Sequence, residues 1–427
     1  MKIELNESYV KRGNQIFTGV SLITVGILIL YGKSDFLNIV MKAIAIAFII
    51  NAISQTISIA MKKKDDINNT TTIGHIILNL VIGFCVFYRE NVSLSLLPIV
   101  FALYMILNGV VKLITIYIYI KNGINVKLGI LIECIVYFIF GATSLLSPLR
   151  HLNEILIIIA IYFLLFGTNF IKQFISEIMP NKTKNNLKRK VRATLPVFLA
   201  ASIPHKVLKK VNEYFEINSE DTDKLNRKSK EDVDLEVFIH VTPNGIGMVG
   251  HVDLYYNGEI ISYGNYDESS YKLFGVVGRG ILFRCEKDKY INFCTGCMKK
   301  TLFSYGLKLN EEQKKNIDKK INEIKDNLIE WKPPIVLDKD RLDEYNDYAS
   351  VLYKSTGAKF YKFKSGKFKT YFGLNTNCVL LADSVIGHLG IDILNISGII
   401  TPGTYYEYLK NEFIKKNSIV ISQNIYR

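Results

Sequence analysis

A lone cysteine, Cys378, stands where the polar loop Tyr371-Phe-Gly-Leu-Asn-Thr-Asn377 gives way to the apolar stretch Val379-Leu-Leu-Ala. A helix beginning there aims its unpaired amides and the positive end of its dipole at the sulfur, which favours thiolate over thiol. Acyl transfer by a thiolate also needs a base. His251 is the best candidate: it follows Gly250 within the strand-like run Met248 to Tyr256, which ends at the two-residue turn Asn257-Gly258. That turn sets His251 across from Gly264, leaving the imidazole uncrowded. The pair implies thiolate attack on a carbonyl, with the imidazolium protonating the leaving group. A third polar group should orient the ring. Asn265 and Asp267, at the end of the next strand, are the nearest choices, although strict alternation turns Asn265 to the opposite face unless a bulge intervenes. Asn375 or Asn377 could join the Cys378 amide in stabilising an oxyanion.

Other residues compete for the chemistry and carry less. His240, one strand earlier, rivals His251 but lacks the adjoining glycine and the hairpin. Cys294-Thr-Gly-Cys297 with Cys285 is at most half of a zinc site, because no second Cys-x-x-Cys or histidine pair supplies the remaining ligands. Gly275-Val-Val-Gly-Arg-Gly280 looks like a nucleotide loop but lies between strand-like stretches rather than between a strand and a helix. No metal and no cofactor is expected. The six cysteines show no secreted disulfide pattern, which points to a reducing compartment.

These residues need a sheet and helices to position them. Strands are expected at 236–241, 248–256, 259–264, 280–285, 290–293 and 301–307, with a further one near 359–364 and a last one at 418–421. Asn310 with Gln313 forms a capping box for a helix with Ile317, Ile321, Ile324 and Leu328 on one face. Further helices are expected over about 341–355, from Cys378 to near Gly390, and after Pro402. The result is an α+β domain with an antiparallel sheet over residues 234–427.

The first 180 residues are of another kind. Nearly half the chain is hydrophobic, 49 %, and the excess lies in six apolar runs at about 15–32, 36–61, 72–88, 93–120, 126–147 and 152–178, each near the length that spans a bilayer. The first run is long and lacks a cleavage site, so no cleavable signal peptide is expected. Lysines and arginines crowd alternate loops, and the positive-inside rule then places both termini in the cytoplasm. Gly26, Gly83 and Gly141 recur in the odd runs, and Ala52, Gly109 and Gly167 in the even ones, so an all-α domain of three repeated hairpins is expected. Lys112 and Glu133 lie inside neighbouring spans, where they could pair or line a pathway; pairing with snorkelling is the simpler expectation.

The net charge of +14 is concentrated. Residues 181–212 hold 9 basic residues and no acidic one, whereas residues 213–427 hold 30 of each sign. Nucleic acid is therefore a poor partner for the soluble domain. The connector, residues 181–233, begins with a basic amphipathic segment at 182–210 that should attract anionic headgroups of membrane lipids.

Residues 10–178 resemble the HdeD-like family of small membrane proteins in hairpin number, repeat length and glycine placement, and no catalytic motif accompanies that likeness. The strand Gly250-His251-Val-Asp-Leu, the hairpin into Ile261-Ser-Tyr-Gly-Asn-Tyr-Asp267 and the later Asn377-Cys378 resemble the circularly permuted papain-like superfamily, with its NlpC-type and lecithin–retinol-acyltransferase-like branches. That resemblance implies Cys378 as nucleophile, His251 as general base and a thioester intermediate. The third polar residue of that family has no clear counterpart. The chain is thus expected to be a multi-pass membrane protein with a cysteine hydrolase or acyltransferase domain facing the cytosol. Its substrate would be a small acyl or peptide compound with an amide or ester bond. The alternative is a noncatalytic stress-response protein whose soluble domain binds a partner or lipid.

Overall fold

A long apolar run has one stable answer in lipid, a helix that satisfies its own backbone, and the N-terminal part of the chain is built that way. The computed structural model describes residues 2–61, 69–178, 232–241, 250–337, 345–386 and 418–426, together with Tyr406, Leu409, Lys410, Glu412 and Phe413. The basic segment at 182–210 and most of the stretch following Pro402 lie outside the described residues. Two compact units result: Met1–Ile114 with Lys127–Leu187, and Thr115–Val126 with Lys188–Arg427.

The helices are α1 (Lys2–Met61), α2 (Asn69–Tyr88), α3 (Glu90–Lys121), α4 (Leu128–Leu146) and α5 (Leu152–Ile178). The first two expected spans lie in α1, which breaks at Lys33, where φ is 42° and ψ −126°. Among the described residues, four helices are long and apolar enough to cross a membrane, and Ile73–Tyr88 is a shorter apolar one. The expected glycines sit at close crossings. A Cβ on Gly26 would lie 3.1 Å from the carbonyl oxygen of Ala160, one on Gly83 3.1 Å from that of Ala45, and one on Gly141 3.1 Å from that of Ala102. Lys112 and Glu133 pair, Nζ to Oε2, at 2.6 Å.

In the second unit one antiparallel sheet carries eight strands in the order β10-β6-β1-β2-β3-β5-β8-β7. They are β1 (Leu235–Val241), β2 (His251–Tyr256), β3 (Glu259–Gly264), β5 (Ile281–Glu286), β6 (Thr301–Leu307), β7 (Leu328–Glu330), β8 (Lys359–Phe363) and β10 (Val420–Tyr426). A separate pair joins β4 (Val277–Arg279) to β9 (Thr370–Phe372). Alternation gives the sheet two apolar faces. Val237, Leu254, Tyr263 and Tyr305 pack with Ile317, Ile321 and Ile324 of the Glu311–Asp326 helix and with Val379, Leu381 and Val385 of the Cys378–Ile386 helix. Phe238, Ile260, Phe283 and Leu302 pack on the other side with Tyr290, Phe293, Ala349 and Leu352.

The capping box forms as expected: Asn310 Oδ1 accepts from Gln313 N–H at 2.8 Å, and Gln313 Oε1 accepts from Asn310 N–H at 2.9 Å. The helix expected at 341–355 is Tyr348–Thr356, begun by Asp347, whose Oδ1 accepts from Ser350 N–H at 3.0 Å, and ended by Gly357 at φ 67°. One expectation fails. Residues 290–293 are not a strand: Lys287–Asn292 is a helix that runs into a π-turn at Phe293–Cys297. The reason lies in Tyr290 and Cys294. Four residues apart, they stand one helical turn from each other on the same side, and both reach His240.

Candidate active site

β2 is bounded on one side by the ladder to β1, in which His251 pairs with His240. On the other side, the ladder to β3 stops at Leu254 opposite Ile261. The Asn257-Gly258 turn fixes the expected register, but no backbone pairing continues as far as His251; on the other edge of β3, Gly264 pairs with Ile281 of β5. Cys378 clusters with Val252 and Leu254, whereas alternation turns His251 the opposite way. They are neighbours nonetheless: the Cys378 side chain is among the groups that raise the His251 imidazole. The thiol is nearly enclosed, at 3 % exposure, whereas the His251 side chain is a fifth exposed, at 21 %. Solvent reaches the pair from the imidazole side.

The imidazole is not uncrowded. Its Nε2 lies 2.9 Å from Asp253 Oδ1, 3.0 Å from Ser262 Oγ and 3.0 Å from the Tyr266 hydroxyl. Ser262 and Tyr266 are joined at 2.7 Å. Gly264 is what admits the tyrosine, because a Cβ there would stand 2.5 Å from Tyr266 Cζ. The contact with Asp253 Oδ1 is an ion pair rather than an aligned hydrogen bond: among the described residues that oxygen has no partner in good hydrogen-bonding geometry.

Asp253 is the residue that sequence reasoning missed. Two positions along the strand from His251, it shares its face. It is fully buried, and its Oδ2 accepts from the Tyr290 hydroxyl at 2.8 Å and lies 2.5 Å from His240 Nε2. Two imidazoles therefore share one carboxylate, and one negative charge does not balance two buried cations. Burial pushes His240 down to about 4, against the pull of Asp253, and the nearby Lys300 and His251 charges add to the descent. Burial also opposes charge on His251, but Asp253 and Cys378 outweigh it and raise the ring to about 10. Burial raises the Asp253 carboxyl, yet the two histidines hold it well below its ordinary value. The resulting state is a charged His251, an ionised Asp253 and a neutral His240. Cys294 Sγ, 4.0 Å from His240 Nδ1, completes the far end of this chain, and burial pushes that thiol up to about 12.

The tentative third residues do other work. Asn265 Nδ2 donates to Gly275 O at 3.0 Å, and its Oδ1 would stand 2.1 Å from a Cβ on Gly278, so it braces the β4 segment and does not orient His251. Asp267 accepts from Arg279 Nη1 at 2.7 Å and from Ser269 Oγ at 2.6 Å, closing its own turn. The asparagines before Cys378 shape the loop. Asn377 Oδ1 accepts from Leu380 N–H at 3.1 Å, capping the Cys378–Ile386 helix, and its Nδ2 donates to Gly373 O at 3.0 Å. Asn375 Nδ2 donates to Thr115 Oγ1 at 2.9 Å, within the same compact unit. Both side chains are thus engaged in shaping the loop, and the unpaired amides of the helix's first turn are further donors that an oxyanion could use. Among the described residues no group of three or more His, Cys, Asp and Glu side chains could hold a metal ion.

A family described as a short repeat of unknown function (DUF308) matches residues 75–143. The match falls inside the segment that resembles HdeD-like membrane proteins, and with the apolar helices it supports a membrane role for the N-terminal part of the chain. No curated protein matches the chain, and no solved structure does.

Proposed function

We propose that the second unit is a cysteine hydrolase or acyltransferase of circularly permuted papain-like type, held at the cytoplasmic membrane face by six spans in three hairpins. The reading rests on one observation: His251, a neighbour that Cys378 helps to keep charged, is paired at 2.9 Å with a buried carboxylate, Asp253. With Nε2 occupied by three oxygens, Nδ1 is the ring nitrogen available to the thiol. The Cys378 sulfur is the nucleophile and the imidazolium the proton donor. Attack on a carbonyl forms the thioester as the imidazolium gives its proton to the departing amine or alcohol. The neutral ring then takes a proton from water or a second acceptor, whose oxygen or nitrogen displaces Cys378. Asp253 keeps the ring oriented and charged between steps, the role first sought at Asn265 or Asp267. An amide or ester of a lipid or a membrane-associated peptide suits a domain tethered this way.

The test uses the full chain and a thiol-directed acyl probe. Cys378→Ala should abolish labelling, and His251→Ala should slow alkylation of Cys378 near pH 7 by about 10²-fold or more, the usual size of a general-base contribution. If the Cys378→Ala protein still labels at the same rate, or His251→Ala changes nothing, the enzyme reading is wrong and a noncatalytic binding role takes its place.

A further inference from the structure

The segment between β3 and β5 contains a tip that no catalytic argument uses. Lys272 and Val277 form an isolated bridge, with Lys272 N–H on Val277 O at 2.8 Å and Val277 N–H on Lys272 O at 3.1 Å. Leu273, Phe274, Gly275 and Val276 turn the chain between them. Phe274 is 99 % exposed, Leu273 56 % and Tyr271 44 %. Single exposed apolar residues are ordinary, but three within four positions at a loop tip are not.

The backbone is also unusual. Leu273 and Phe274 have φ of 49° and 56° before Gly275 at 83°. Large side chains rarely accept left-handed backbone, and two in succession persist only where the surroundings impose them. Here they do. Gly275 N–H donates to Lys272 O at 3.1 Å, Asn265 Nδ2 to Gly275 O at 3.0 Å and the Tyr271 hydroxyl to Asn265 O at 2.9 Å. The tip is a built structure that holds two large apolar side chains out in water.

The framework behind it suggests what covers it. Beyond the tip, β4 pairs with β9, and Gly373 N–H donates to Val276 O at 2.9 Å. β9 in turn meets the end of α3 inside the second unit: Thr370 Oγ1 donates to Asn122 Oδ1 at 3.0 Å, and Asn375 Nδ2 to Thr115 Oγ1 at 2.9 Å. α3 is apolar enough to cross a membrane, and its last turns, Ile114 to Ile120, are themselves apolar. Exposed Lys272 and Lys369 flank this framework with cations. We infer that Leu273 and Phe274 form a membrane-insertion tip that enters the headgroup boundary of an anionic leaflet, a second attachment of the soluble unit besides its covalent tether. Large apolar side chains flanked by lysine suit that boundary, where rings sit in the upper acyl region and ammonium groups meet phosphates. The inference is independent of any chemistry at Cys378.

The test uses the full chain in liposomes of phosphatidylcholine and phosphatidylglycerol. Trp331 is the single native tryptophan. In a Trp331→Phe background, the indole of Phe274→Trp should be quenched by lipids carrying a nitroxide near the headgroup end of the chain. It should be shielded from iodide and shifted to the blue, whereas the indole of Tyr353→Trp, on the Tyr348–Thr356 helix, stays open to iodide. Equal iodide access at both positions, or no nitroxide quenching at position 274, overturns the inference, including the case in which a protein partner covers the tip. The wild-type chain supplies a second measurement in case the background variant does not fold. A phospholipid with a diazirine at shallow depth should crosslink to Leu273 or Phe274, and absence of adducts there overturns the inference equally.

Discussion

At the scale of single residues, the arrangement of charge around Asp253 has consequences in solution. His251 is raised to about 10, so its contribution to stability is complete below about pH 6.5, its unfolded value, and is lost as pH rises through about 10. His240 is depressed to about 4, so the folded state resists the proton that the unfolded chain takes up, and stability falls as pH drops from about 6.5 towards 4. Asp253, held low, adds a further loss below its ordinary value. Unfolding of the second unit, followed by fluorescence of Trp331, should therefore show greatest stability near pH 6.5 and decline on both sides. Asp253→Asn should flatten the alkaline limb and cost about 3–5 kcal/mol, because it strands a buried charge; an unchanged alkaline limb would show that Asp253 is not what holds the proton on His251. Asp253 was legible in principle. A strand's period of two places it beside His251, but the eye goes to the next strand's end, where Asn265 and Asp267 offer polar groups without showing which way they turn. His240 was legible as a histidine and not as a partner, since eight residues, 242–249, separate β1 from Gly250 and no two-residue turn fixes the register.

At the scale of elements, the site depends on where pairing stops. The Asn257-Gly258 turn made the hairpin readable, and its register follows the sequence. That the ladder ends at Leu254 opposite Ile261 has no local signal. Gly264 belongs to the same category. Its missing side chain looks like room for the imidazole, yet Tyr266 fills the space and brings its hydroxyl to His251. Gly264→Ala should displace Tyr266 and lower stability by about 1–3 kcal/mol, the usual size of an overpacking penalty. Tyr266→Phe keeps the ring stacked on Tyr348 and removes only the hydroxyl. Both variants should slow alkylation of Cys378, but only Gly264→Ala should lower the melting temperature markedly. Normal alkylation in Tyr266→Phe would mean that the hydroxyl merely fills space. The Lys287–Asn292 helix shows the opposite limit: aromatic residues with strand preference are overruled because Tyr290 and Cys294 both reach His240.

For the whole molecule, the repeat is the feature most plainly written in the sequence, because a period near 57 residues survives without any knowledge of contacts. What the period leaves open is which helix meets which. Gly26, Gly83 and Gly141 meet Ala160, Ala45 and Ala102, and these alanines follow the same spacing, 57 and 58 residues apart. Each glycine therefore crosses not its own hairpin partner but a helix from another repeat, and Gly26 closes the set onto the last one. With the same 3.1 Å separation at each crossing, the three sites are physically one contact made three times. In lipid, helix association draws on close packing of small residues rather than on a hydrophobic drive. Gly26→Val, Gly83→Val and Gly141→Val should then each destabilise the membrane unit by a similar amount, about 1–3 kcal/mol. The measurement is unfolding by titration with sodium dodecyl sulfate, followed by circular dichroism. If the closing contact at Gly26 tolerates valine while the other two do not, the helices form an open row and not a closed set of equivalent crossings.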